Sequence, residues 1–183
     1  HRLEDWKKQI WQFINDWFDK DIASIKVCTS GSTGVPKNIL HGKGSVLNSP
    51  RLTSEVLQLK QNDRSFLCLP ADKISGMMML VRSIWNRMDL YYVRPSTNPL
   101  TEVSDKDNFD FAAFTPMQLF EISKSPAMLS RLQKIKKILI GGEDIPKKLF
   151  DTLQQVSCEA YATFGMTETI SHIALRRING KDP

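Results

Sequence analysis

Short apolar runs alternate with segments of helical periodicity along most of this chain, and that alternation restricts the fold more than any other feature. Ser24 to Thr29, Lys37 to His41, Ser65 to Leu69, Leu90 to Arg94, Phe111 to Phe114, Ile138 to Ile140 and Glu159 to Thr163 read as strands, with Ile170 to Arg176 as a last one. Helical patterns run from about Glu4 to Asp19, Gly44 to Leu59, Gly76 to Arg87, from Pro116 onward, and Pro146 to Gln155. Pro50 and Asn48 threaten the start of the second of these, and Pro116 suits a first helical turn. Strands separated by helices predict an α/β fold with a mostly parallel sheet flanked by helices. Such sheets bind ligands beyond the carboxyl ends of their strands.

The first helix places Trp6, Ile10, Phe13, Ile14 and Trp17 on one stripe, which predicts packing against the core. Asn98 to Asn108 is polar and turn-rich and predicts a loop. The net charge of +5 is scattered. Its one dense patch, Lys134, Lys136 and Lys137, predicts a solvated rim, since no zinc-finger spacing or RNA-binding signature accompanies it. No nucleic-acid partner is expected. Cys28, Cys68 and Cys158 are odd in number and lie in apolar segments, which predicts reduced, buried thiols and a cytoplasmic setting. Three histidines are too few for a His-rich metal centre. His1 to Lys8 lacks the apolar run of a secretion signal, and the apolar stretch Ile74 to Ile84 is too short and too polar to span a bilayer.

Chemistry concentrates in Thr29-Ser30-Gly31-Ser32-Thr33-Gly34-Val35-Pro36-Lys37. The glycines permit sharp bends and close approach to a ligand. Hydroxyls and free amides can cradle an anion, and Lys37 adds a mobile positive charge. Together they suit a polyphosphate. The spacing matches neither the Walker sequence nor the dinucleotide fingerprint. A second glycine-bearing turn follows the strand at Gly141-Gly142-Glu143, and a third lies in Tyr161-Ala162-Thr163-Phe164-Gly165-Met166-Thr167-Glu168-Thr169.

These segments, in this order, resemble the motifs of the adenylate-forming superfamily, which includes acyl-CoA synthetases, luciferases and the adenylation domains of peptide synthetases. The resemblance runs from about Ile22 to Arg176. It implies that Thr29, Ser30, Gly31, Ser32, Thr33 and Gly34 hold the phosphates of ATP, with Lys37 assisting. It implies that Gly141, Gly142 and Glu143 line the adenine opposite Phe164, which stands where a tyrosine is usual before Gly165. Thr167 would contact the α-phosphate and Glu168 would bind Mg²⁺. Leu69-Pro70-Ala71-Asp72-Lys73-Ile74-Ser75-Gly76 resembles the segment beside the acyl pocket, with Lys73 where histidine or an aromatic residue is common. That segment and Thr115-Pro116 make Lys73, Ser75, Gly76 and Thr115 candidate substrate contacts.

Ile74-Ser75-Gly76 and Ser171-His172 look most like the o-succinylbenzoate–CoA ligases of menaquinone biosynthesis. Their acid carries two carboxylates, which a basic residue such as Lys73 or Arg82 would suit. The implied reaction is ATP-dependent formation of an acyl-adenylate, then transfer to coenzyme A as co-substrate. Other aryl- or fatty acyl-CoA synthetases, a non-catalytic nucleotide-binding module and a peptide-synthetase adenylation domain remain alternatives. The family's ribose-binding aspartate, hinge and mobile C-terminal domain are not recognised within residues 1–183. The chain is therefore expected to be a partial N-terminal domain, inactive alone and prone to pair as a homodimer through exposed apolar surface.

Overall fold

The computed structural model describes residues 4–28 and 37–180. Helix α1, Asp5–Phe18, turns Ile10 and Phe13 into the core, and Phe13 stacks on Trp17 at 5.8 Å. An antiparallel hairpin follows: β1, Ser24–Cys28, and β2, Asn38–Gly42, with Cys28 opposite Asn38. Period-two alternation buries Ile25 and Val27 on β1 and His41 on β2.

Two helices come next, α2 over Lys43–Val46 and α3 over Asn48–Leu57. The sequence predicts one helix here. The break falls at Leu47, and Pro50 sits in the first turn of α3, where its missing N–H costs nothing.

The remaining strands are β3 (Arg64–Leu67), β4 (Asp89–Tyr92), β5 (Phe109–Phe114), β6 (Ile135–Ile140), β7 (Glu159–Gly165) and β8 (His172–Arg177). They form one sheet in the order β4-β3-β5-β6-β7-β8. All neighbours are parallel except β7 and β8, which run antiparallel. The predicted architecture is therefore present. The hairpin β1–β2 stands apart from this sheet, however, so the glycine-rich loop is not carried on a parallel strand as the alternation implied.

Helices α4 (Ile74–Asn86), α5 (Pro116–Ser123), α6 (Pro126–Leu132) and α7 (Lys147–Leu153) cover the sheet. α4 begins two residues before its predicted start, and α6 carries a helix the sequence reading passed over. The central strands are buried on both faces, and Phe66, Phe111 and Phe114 are almost fully enclosed. The polar segment 98–108 contains a 3-10 turn, Pro99–Glu102, anchored by fully buried Leu100.

The basic patch is tied into the fold. Lys136 pairs with Asp110 at 2.6 Å, Lys137 donates to the Leu57 carbonyl, and Lys134 to that of Asp105. Cys68 and Cys158 are buried, as predicted, and Cys28 is half-buried. Among the described residues, no helix is long and apolar enough to cross a membrane.

Candidate functional site

The turns after β3, β5, β6 and β7 all emerge at one edge of the sheet, because their strands run parallel. Thr29 to Pro36, the predicted phosphate loop, lies outside the described residues. Its flanks are Cys28 and Asn38, neighbours across the hairpin, with exposed Lys37 at the loop's end.

His41 ties that hairpin to the Thr-Glu segment. It is 8% exposed, and its Nε2 lies 2.7 Å from the Thr167 carbonyl oxygen. A carbonyl only accepts, so Nε2 donates. Thr167–Thr169 form a 3-10 turn. The Met166 amide donates to the Thr169 hydroxyl at 3.0 Å, and that hydroxyl lies 2.8 Å from the Ser171 carbonyl oxygen. Ile170 closes the turn at φ 69, a strained value for a β-branched residue.

Glu168 is exposed and joins no ion pair among the described residues. A single free carboxylate fits Mg²⁺, which usually takes one or two carboxylates and completes its shell with phosphates and water. Phe164 is 65% exposed, so its ring is open to stacking.

The predicted glycines divide by physical cause. A Cβ on Gly141 would lie 2.1 Å from the Thr163 hydroxyl, and one on Gly76 would lie 2.1 Å from the Pro70 carbonyl oxygen. Gly76 therefore needs glycine because backbone stands against it, whereas at Gly141 the Thr163 side chain would have to move. Gly142 has φ 98 and open space around it. Glu143 and Ser75 are exposed. Thr115 caps α5 in a reciprocal pair with Gln118, accepting from the Gln118 amide at 3.2 Å while its own amide donates to Gln118 Oε1 at 3.0 Å.

The two basic candidates do not converge. Lys73 stands in extended backbone just before α4, whereas Arg82 lies well inside the helix, and the two meet different partners. Lys73 lies 4.0 Å from Asp72. It borders an open cleft of about 590 Å³, shared with Glu4, with Trp6 and Gln9 of α1, and with Arg94.

Arg82 is 3% exposed. Its Nη2 donates to Ser171 Oγ at 2.8 Å and lies 3.4 Å from His172 Nδ1. No carboxylate among the described residues pairs with it, and its buried Nε has no hydrogen-bond partner. Burial pulls the guanidinium down to about 10, so it remains charged at neutral pH. A buried cation that no carboxylate among the described residues pairs with therefore lies beside the Thr-Glu turn.

Next to it, burial first and the Arg82 charge second push the His172 imidazole down to about 4. An unfolded histidine titrates near about 6.5, so the unfolded chain binds more protons between these values. The sign follows from linkage: this contribution to stability is complete above the unfolded value and is lost as pH falls from about 6.5 through about 4. Denaturant midpoints should fall between pH 7.5 and 5, with a slope below about 1.4 kcal/mol per pH unit because the ring retains some solvent contact. His172→Gln should flatten that slope. An identical slope in the variant would place the titration elsewhere.

Sequence reasoning missed His41 as the partner of Thr167 and the contacts of Arg82 with Ser171 and His172. Arg82 did leave a signal, as the one cation, beside Ser83, in the mainly apolar run Met77 to Ile84. His41 left a weaker one, at an inward position of an alternating strand.

Comparison with known proteins agrees with this arrangement. The family model for AMP-binding enzymes matches residues 5–183. Curated relatives include a 2-succinylbenzoate–CoA ligase of Lactococcus lactis, 29% identical over 157 residues, covering 85% of this chain and 34% of that protein. Another, from Bacillus mycoides, is 26% identical over 162 residues and covers 88% and 34%. This chain thus spans about a third of the length of these relatives.

Among solved structures, an acyl-CoA synthetase (AMP-forming)/AMP-acid ligase II-like protein from Dyadobacter fermentans superposes with a TM-score of 0.90 at 33% identity, over 98% of this chain and 51% of that one. An O-succinylbenzoate coenzyme A synthetase from Bacillus subtilis, in complex with AMP, gives 0.71 at 24% identity over 84% and 32%, a likeness of fold. Motifs, sheet order and the family match over nearly the whole length agree: this chain belongs to the AMP-binding enzyme family.

Proposed function

We propose that this chain forms the nucleotide- and acid-binding core of an acid–CoA ligase whose substrate carries a second carboxylate, with o-succinylbenzoate the best fit. The observation that carries the reading is Arg82, a buried guanidinium without a carboxylate partner among the described residues, held beside the Thr-Glu turn. An uncompensated cation is costly to bury unless an anion completes it. Relatives that are 2-succinylbenzoate–CoA ligases support the same choice of acid.

In this mechanism the phosphate loop and Lys37 hold the β- and γ-phosphates of ATP. The exposed Phe164 ring stacks on adenine beside the strand end at Gly141 to Glu143. Thr167 orients the α-phosphate, and His41 fixes that residue's backbone. Glu168 holds Mg²⁺, which supplies charge neutralisation at the reacting phosphate. One carboxylate oxygen of the acid attacks the α-phosphorus, and the bond to pyrophosphate breaks. The thiol of coenzyme A then displaces AMP from the acyl carbon. Arg82 anchors the acid through its other carboxylate. No protein nucleophile is needed, since positioning and electrostatics carry the first step.

Calorimetry tests the nucleotide half of the reading. The full-length protein should bind ATP with Mg²⁺, and Thr167→Ala combined with Glu168→Ala should weaken binding by at least about tenfold, roughly 1.4 kcal/mol. Binding unchanged by the pair of substitutions would sink the assignment. Thioester formation from o-succinylbenzoate, set against monocarboxylic aryl and fatty acids, tests the acid.

A further inference from the structure

We infer that His172 is a positioning residue, locked by Thr53 as the neutral Nε2–H tautomer, that holds the Arg82 guanidinium in place without neutralising it. The inference rests on the proposal that Arg82 receives the acid's second carboxylate.

Three hydrogen bonds determine the proton's place. The buried Thr53 hydroxyl donates its single proton to the Ser49 carbonyl at 2.8 Å. It can then only accept from His172 Nε2, 3.0 Å away. Nε2 therefore bears the hydrogen. On the other side of the ring, Nδ1 faces Arg82 Nη2 at 3.4 Å, and a guanidinium offers donors only. Nδ1 therefore carries the lone pair. Both sides of the imidazole demand the same tautomer, and a protonated ring would point an N–H at the guanidinium.

This arrangement differs from the usual way of seating a buried arginine. A carboxylate in the place of His172 would hold Arg82 more tightly, and would cancel its charge. Ser171 and His172 are both neutral acceptors, and both meet Nη2. They orient the guanidinium while its charge stays available. Thr53 and Ser49 on α3, His172 on β8 and Arg82 on α4 thereby join three elements around one cation.

Long-range ¹⁵N–¹H spectra of the full-length protein at neutral pH read the tautomer directly. The expected pattern is a protonated Nε2 and an unprotonated Nδ1 for His172, with the pattern lost or mixed in Thr53→Val. A protonated Nδ1 or an imidazolium in the wild type would overturn the inference. Kinetics read the consequence. His172→Gln, which keeps a neutral acceptor, should leave KM for o-succinylbenzoate within about threefold of wild type. His172→Asp should raise it by at least about tenfold, leaving KM for ATP and turnover of a monocarboxylic analogue unchanged. Equal KM for the acid in both variants would likewise overturn it. If the spectra show the expected tautomer but Arg82→Met does not separate dicarboxylate from monocarboxylate substrates, the tautomer lock stands and the assignment of the acid falls.

Discussion

Arg82→Met should cripple recognition of the acid and leave the protein as stable as before, or more so. The arginine stem lies in the buried stretch Met77–Ser83 of α4, and methionine can fill much of that path. What disappears is a charge with no carboxylate partner among the described residues and an Nε without an acceptor. Removing such a charge relieves a desolvation cost, so the melting temperature should hold or rise. Removing a buried partner of a substrate carboxylate costs about 2–5 kcal/mol. KM for o-succinylbenzoate should therefore rise by between about thirtyfold and a few thousandfold. KM for ATP should stay within about twofold, because the phosphate loop and Glu168 are untouched. Steady-state kinetics and thermal melts on one preparation decide it. A fall in stability with unchanged KM for the acid would mean that Arg82 only braces Ser171 and His172.

The fold was partly legible in the sequence. Alternating runs predicted the parallel sheet, since strands buried on both faces read as short apolar blocks such as Phe111 to Phe114. The Thr-Glu segment announced itself because its residue types and spacing are local. What stayed hidden depends on contacts between distant positions. His41 meets Thr167, Thr53 meets His172, and Arg82 meets Ser171 across long stretches of chain. No local pattern encodes such meetings. Helix α6 escaped because a seven-residue helix opened by Pro126 offers too few turns for periodicity to emerge. Lys136 is exposed as the sequence predicts, but nothing nearby in sequence shows that Asp110 pairs with it or that the Leu57 carbonyl receives Lys137. Lys73 and Arg82 looked equivalent as charges until the fold left Lys73 half-buried at the head of α4 and enclosed Arg82 within it.

Gly165→Ala tests the geometry that makes the Thr-Glu turn and the Arg82 cluster one unit. The chain leaves β7 at Gly165, makes the turn through Thr167–Thr169, and returns as β8 opposite the residue it left, with Gly165 pairing His172 across an irregular register. A Cβ at Gly165 would stand 2.3 Å from the Ser171 carbonyl oxygen and 2.5 Å from His172 Cα. Both obstacles are backbone, so no side-chain rotation can relieve the clash. Ser171 and His172 must move, and with them both neutral acceptors of Arg82. The Thr169 hydroxyl, which lies against the Ser171 carbonyl, transmits the shift to the turn that holds Thr167 and Glu168. Overpacking of this kind costs about 1–3 kcal/mol in stability. The informative result is joint: affinity for ATP with Mg²⁺ and for the acid should fall together, each by about tenfold or more, whereas Arg82→Met separates them. Gly44→Ala is the matched control, since a Cβ there meets nothing within 4 Å and Gly44 lies within α2. It should be neutral or stabilising by up to about 1 kcal/mol. Loss of acid affinity alone in Gly165→Ala would show that the turn tolerates displacement of β8, and that nucleotide and acid are held by independent parts of the fold.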